Sequence, residues 1–294
     1  MNVITLSQKK FESLEPLKLS RNTHNTEGQL YEFNYRGNNK VIKKLFHQKG
    51  IIFANKLLTL ELLDTYSEYL PSAFKQPDFL ISVEGKIMGF TTPRLYGSNL
   101  SDILHDSHIS PKEHIYYLKK IGELLQQMKT IRKYSPLKDL YLNDLHESNF
   151  IIHPNNKELS VIDLDSCKIG SNIAFQSRFL TDKSLLNNVP YKYQINYDIS
   201  IPGYVTADQN SDLYCYNMII LNYLYGANVD HLDLASFYQY LNYLKSIGIN
   251  NELLDSFNRL VINADNKNPV NYLDSLTAEQ VYRSKQTVYQ KVKK

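Results

Sequence analysis

The sequence predicts an α+β protein in two unequal lobes, and three observations predict it. Before residue 95 the apolar residues come in short β-branched and aromatic runs separated by Gly/Asn turn clusters. After residue 100 they recur at helical spacing over long segments. Between the two lies a stretch, 91–99, that carries Pro93 and Gly97 and reads as an extended crossing. A small strand-rich lobe with one helix is therefore expected over 1–95. A larger, mostly helical lobe is expected over 96–294, with a hinge at 91–99 and a cleft between them.

The elements follow in order. Two strand-like runs over 27–46 are broken by Gly37-Asn38-Asn39, a hairpin signal. Phe53, Leu57, Leu60, Leu63 and Tyr66 share one helical face over 51–70, and the helix ends before Pro71. A second hairpin turns at Glu84-Gly85-Lys86 between 79–83 and 87–90. Pro111 follows Ser110 at the start of a helix over 111–131, with Ile115, Leu118, Ile121, Leu124, Leu125 and Met128 on its apolar face. Strand or loop pieces are expected at 140–152 and 159–164, and further helices at 212–225, 232–247, 251–262 and 277–291. In the second of these, Phe237, Tyr240, Leu241 and Leu244 are expected in the core or in an interface.

Composition excludes several classes. With 294 residues, 43% apolar and 21% charged, the chain is neither disordered nor fibrous. No run of apolar residues is long enough to span a membrane, and the first 30 residues show no secretory pattern. Cys167 and Cys215 make neither a disulfide framework nor a zinc site, so a cytoplasmic protein is expected. A net charge of +3 is too small to imply nucleic acid. The expectation is thus no nucleic-acid partner and no membrane.

The chemistry is concentrated at Asn143-Asp144-Leu145-His146-Glu147-Ser148-Asn149, followed by Val161-Ile162-Asp163-Leu164-Asp165. An Asp, an Asn five residues on, and an Asp closing an apolar strand fit phosphoryl transfer. Asp144 would accept the proton of an attacking hydroxyl, while Asn149 and Asp163 hold Mg²⁺ against nucleotide phosphates. Upstream, Lys43 stands in the apolar strand Val41-Ile42-Lys43-Lys44 and could reach those phosphates if a carboxylate held it. Glu61, set among leucines on the next helix, is the expected partner. Lys43 is chosen over Lys44 because it shares a strand face with Val41, which would line an adenine pocket.

With these motifs in place the chain resembles the protein-kinase-like superfamily from about Gly28 to its end. The resemblance implies a bilobal kinase-like fold, ATP and Mg²⁺ as cofactors, and a hydroxyl acceptor. Gly28 and Leu30 resemble the end of a glycine-rich loop and its next strand. Thr92 and Leu95 fall where the family's hinge binds adenine, and Ile151 matches the apolar residue beneath the base. Asp212, opening an apolar helix, is similar to the buried Asp that anchors the catalytic loop. An N-cap role for Asp212 competes with that reading, but Ser211 is available as the cap. His146 would sit near the γ-phosphate.

The sequence departs from the family in places. Only Gly28 remains of the glycine loop, Leu142-Asn143 replaces His-Arg, and Asp163-Leu164-Asp165 replaces Asp-Phe-Gly. The Ala-Pro-Glu element is at best Thr206-Ala207-Asp208. Asp-Leu-His-x-x-Asn resembles aminoglycoside and choline phosphotransferases instead. The first expectation is a protein serine/threonine kinase, the second a small-molecule kinase, and the third a pseudokinase scaffold. The partners are then ATP and a protein or small-molecule hydroxyl acceptor.

Overall fold

A computed structural model describes residues 1–17, 28–172, 208–229, 232–262 and 265–292. It is a mixed α+β fold. The five-stranded sheet has the order β1-β4-β5-β3-β2, formed by β1 (Asn2–Leu6), β2 (Gly28–Tyr35), β3 (Asn38–Leu45), β4 (Phe79–Val83) and β5 (Lys86–Pro93). The pair β1–β4 is parallel and the other pairs are antiparallel. Both hairpins turn on two residues with positive φ, Arg36-Gly37 (52° and 82°) and Glu84-Gly85 (49° and 77°). This turn geometry matches the twist of the flanking strands. Sequence reading placed both hairpins and missed β1 and the short helix α1 (Gln8–Glu12). The partner that makes β1 a strand is some 75 residues away at Phe79–Val83, beyond any local signal.

Opposed residues in the register share a face. Leu30, Lys43 and Phe90 lie side by side, as do Glu32, Val41 and Thr92. Helix α2 (Gly50–Thr65) covers this face, packing Leu60 with Leu45 and Phe90. The opposite face buries Ile4, Leu6, Phe11, Phe33, Ile42, Ile81 and Val83 together.

After β5 the chain crosses through residues 94–97 into β6 (Ser98–Asn99), which pairs with β8 (Phe150–Ile152). Helix α3 (Leu100–His105), not foreseen from the sequence, follows at once, its N-terminus capped by Asn99 accepting from Ser101 N. Helix α4 (Pro111–Tyr134) starts as expected, with Ser110 accepting from Glu113 N. The strand pair β7 (Leu140–Tyr141) with β10 (Lys168–Ile169), and β9 (Leu159–Val161) beside β8, frame the loops carrying the carboxylates.

Helices α5 (Gln209–Tyr225), α6 (Leu234–Ser246), α7 (Asn251–Asn258) and α8 (Ala278–Val292) complete the larger part. Leu213, Tyr216, Ile220 and Leu224 of α5 are buried along with most of its other residues, so it is apolar nearly all round and lies in the centre of the core. Phe237, Tyr240, Leu241 and Leu244 are buried, as their spacing predicted. A buried Leu or Ile contributes roughly 1.5–3 kcal/mol, so this cluster dominates the stability of the molecule. No helix among the described residues is long and apolar enough to cross a membrane.

Candidate functional site

Three local structures position the carboxylates. Residues 142–149 form a loop between β7 and β8. Asn143 takes a left-handed conformation (φ 62°), which Asn tolerates better than most residues. Its side-chain amide donates to the Ser166 carbonyl at 3.0 Å. Asn149 ends the loop in a 3-10 turn; its Nδ2 donates to the Asp144 carbonyl at 2.9 Å, and its own carbonyl accepts from Ile162 N at 3.0 Å. Asp163 follows β9 and is also left-handed (φ 62°, ψ 40°), which turns the chain into the short 3-10 turn Leu164–Ser166. Asp144, Asn149 and Asp163 thereby line one narrow cleft.

The loop is tied down from behind. Asp212, in the first turn of α5, accepts from Leu142 N and Asn143 N, both at 2.9 Å. The helix is capped instead by Asp208, which accepts from Ser211 N at 2.8 Å, while Ser211 Oγ bonds back to Asp208 N. The anchoring reading of Asp212 therefore holds at the level of contacts, and the cap is Asp208 where Ser211 was expected. Burial raises the Asp212 carboxyl to about 7, against the pull of the two N–H groups and of Arg132. The crossing is also tied to the loop: Asn99 Nδ2 donates to the Ser148 carbonyl at 2.7 Å.

Lys43 reaches the cleft from the sheet. Its Nζ donates to Asp163 Oδ1 and to both oxygens of Asp165, at 2.9 and 3.1 Å. Lys44 points to the other face, its ammonium 5.5 Å from the Phe11 ring. Lys43 and not Lys44 faces the cleft, but the expected ion pair between Lys43 and Glu61 is not made. Glu61 is exposed, because the face of α2 turned inward is that of Asn55, Lys56, Thr59, Leu60 and Leu63. One residue past Leu60 rotates by about 100° out of that face.

Of the inward polar residues of α2, Lys56 reaches the carboxylates: its Nζ donates to Asp165 Oδ2 at 2.8 Å. Thr59, beside it, accepts from Asn172 Nδ2 at 2.7 Å. The Asp165 side chain has no exposed area. Burial opposes its ionisation, but Lys43 and Lys56 outweigh that and hold its carboxyl well below the usual range. Asp163 competes for the same ammonium; burial and the charge of Asp165 push it up to about 6, against Lys43. Sequence reading missed Lys56 and Asp165. The available signal was the run of polar residues, Asn55, Lys56 and Thr59, at the helical phase of Leu60 and Leu63.

The remaining expected residues divide. Gly28 is packed against β3, where a Cβ would stand 2.5 Å from the Lys44 carbonyl oxygen. Leu30, Val41 and Thr92 share the sheet face of Lys43. Leu95 lies in the crossing, and Ile151 on β8, where a Cβ on Gly97 would meet its Cγ2 at 2.9 Å. His146 Nε2 is 3.5 Å from Asp144 Oδ2. Cys167 is buried, which pushes its thiol up and leaves it inert. The degenerate glycine loop before Gly28 and the Thr206-Ala207 segment lie outside the described residues.

The donor set fits a hard cation. Nδ2 of Asn149 donates to the Asp144 carbonyl, which leaves its Oδ1 as the side-chain acceptor, and Asp163, one oxygen of which accepts from Lys43, lines the same cleft. An amide oxygen and a carboxylate suit Mg²⁺, which keeps several waters and takes phosphate oxygens as its other ligands. Among the described residues no three His, Cys, Asp or Glu side chains gather into a metal cage. In comparisons with known proteins, no family model matches this sequence and no curated protein is similar to it.

Proposed function

We propose that the chain is an ATP- and Mg²⁺-dependent phosphotransferase with a bilobal, protein-kinase-like architecture, acting in the cytoplasm on a hydroxyl group. One observation carries the reading. Lys43 and Asp163, 120 residues apart in sequence, meet at the cleft that Asp144 and Asn149 line. A cation from a sheet, a positioned carboxylate base and an Asn/Asp pair are the parts phosphoryl transfer requires.

In this reading Asp144 takes the proton of the acceptor hydroxyl. The oxygen–phosphorus bond forms as the bond to the leaving diphosphate breaks. Mg²⁺, when bound, neutralises charge on the phosphate oxygens, with Asn149 and Asp163 as its protein ligands. Lys43 moves between Asp165 and the phosphates, so Asp165 does the holding that Glu61 was expected to do. Leu30, Val41, Thr92, Leu95 and Ile151 would surround the base.

A protein serine or threonine is the preferred acceptor, because the Asp212 anchor resembles the second lobe of protein kinases. A small-molecule hydroxyl is the second reading, favoured by His146 beside Asp144. A scaffold without activity fits less well, since none of Lys43, Asp144, Asn149 and Asp163 is missing.

The test is incubation of the full chain with labelled ATP and Mg²⁺, alone and with a cell lysate. Transfer to itself or to lysate protein is expected, and transfer to a small-molecule fraction alone would favour the second reading. Millimolar ATP with Mg²⁺ is expected to raise the melting temperature, and Asp163→Ala to remove the Mg²⁺-dependent part. Asp144→Asn is expected to keep the ATP-induced rise while turnover falls by roughly two to four decades. Absence of any ATP-induced shift in folded protein would refute the enzyme reading.

A further inference from the structure

The Asp165 side chain has no exposed area, and two ammonium groups meet it from different elements. Lys43 comes from β3 and spans both oxygens, at 2.9 and 3.1 Å. Lys56 comes from α2 and takes Oδ2 at 2.8 Å. A buried carboxylate needs a cation, because it has exchanged water for a medium that solvates charge poorly. A second cation goes beyond that need. The positive charge left over is offset by Asp163, which accepts from Lys43.

In the proposed function Asp163 serves Mg²⁺ and Lys43 the nucleotide phosphates, so the contact between those two side chains is given up. If Lys43 were the whole of its support, Asp165 would be left bare whenever Lys43 leaned toward the phosphates. Burial makes a bare carboxylate costly, so Asp165 would hold Lys43 back. With Lys56 in place, Asp165 keeps a cation whichever way Lys43 leans.

The contact made by Lys56 is built into the packing. Lys56 is 8% exposed and lies on the buried face of α2 with Thr59, about one turn further on. Thr59 Oγ1 accepts from Asn172 Nδ2 at 2.7 Å, and the same amide donates to the Cys167 carbonyl at 2.8 Å. Asn172 Oδ1 accepts from Ile169 N at 2.7 Å. The segment that follows Asp165 is thus fastened to the face of α2 that carries Lys56, which keeps ammonium and carboxylate in register.

We propose that Lys56 is a positioning residue for phosphotransfer: by sharing Asp165 with Lys43, it frees Lys43 to meet the nucleotide phosphates. Lys56 acts through Asp165 and not by touching the nucleotide. The inference rests on the function proposed above.

Calorimetric titration with ADP and Mg²⁺, and separately with adenosine, tests it without turnover. The unsubstituted protein is expected to bind both, ADP more tightly. Lys56→Gln, verified as folded by its melting transition, is expected to weaken ADP binding at least about tenfold, the scale of one charge-assisted contact. Adenosine binding is expected to stay unchanged, because Lys43 meets the phosphates and not the base. Lys56→Arg keeps the charge and is expected to recover most of the ADP affinity. In an Asp165→Asn background, Lys56→Gln is expected to cause no further loss. That comparison also decides the matter if the single variant shows no melting transition, since the double variant strands no buried carboxylate. The positioning role is overturned if folded Lys56→Gln binds ADP as the unsubstituted protein does, or if adenosine binding falls equally. It is also overturned if the loss persists in full in the Asp165→Asn background, which would place Lys56 on the phosphates directly. No ADP binding by the unsubstituted protein would refute the proposed function, and this role with it.

Discussion

Asp212 is 2% exposed, and each of its oxygens accepts a backbone N–H from the loop that carries Asp144. Removing it leaves the Leu142 and Asn143 N–H groups buried and unpaired, at about 1–3 kcal/mol each. Asp212→Ala is therefore expected to lower the melting temperature clearly. Under the proposed function, phosphotransfer per folded molecule should fall too, because Asp144 is no longer held. Both quantities can be read on one sample. A destabilised but fully active Asp212→Ala would show that the loop keeps its shape without the anchor. The residue was singled out in the sequence because an Asp opening an apolar helix here resembles the loop-anchoring Asp of protein kinases, with an N-cap role as the competing reading. Which residue caps that helix was not legible, since Asp208 and Ser211 cap reciprocally and only coordinates reveal the pair.

At the scale of elements, the phase of helix α2 decides which of its side chains meets Asp165, the carboxylate that holds Lys43. A helix face is set by phase, and a phase error of one residue exchanges an inward side chain for an outward one. Glu61 lies on the outward side, so Glu61→Ala is expected to change stability by no more than about 0.5 kcal/mol. Asp165→Ala leaves Lys43 and Lys56 buried without their shared carboxylate. Breaking such a buried pair typically costs about 3–5 kcal/mol. Denaturant unfolding of the two variants side by side distinguishes the Asp165 clamp from the Glu61 one. A loss in Glu61→Ala equal to that in Asp165→Ala would contradict the observed packing. The hairpins and the long helices α4 and α5 were legible because their turn residues, caps and apolar periods are local. Strand β1 and helix α3 were not: the first needs its parallel partner, and the second is six residues long.

For the whole molecule, pH reports on the packing of α4 against α5. His114 is 4% exposed, its Nδ1 is 3.1 Å from the Tyr223 hydroxyl, and the two rings meet edge to face. Burial lowers its pKa, and the charge of Lys285 adds to that, against smaller opposite effects that include Glu113 and Asp106. An unfolded histidine takes up a proton near pH 6.5 that the folded one refuses. The unfolded state then binds more protons, so stability present above about pH 6.5 is lost as pH falls through the lowered pKa. Melting temperatures of the protein and of His114→Gln across pH 5 to 8 test this. The variant is expected to lack that part of the acid-side decline, and an identical profile would place the effect elsewhere.

The sequence by itself determined the mixed α+β class, both hairpins, the principal helices, and the choice of Lys43, Asp144, Asn149, Asp163 and Asp212 as the residues worth watching. Each rests on short-range information: a turn that needs positive φ, a cap, an apolar period, or an Asp and Asn at fixed spacing in one loop. Only the tertiary structure decided that Lys43 rests on Asp163 and Asp165, and that Lys56 and not Glu61 faces inward. Those facts depend on which ends of distant elements meet. A charged side chain gives the same sequence signal whether it ends in water or against a carboxylate more than a hundred residues away, because its partner is supplied by the fold.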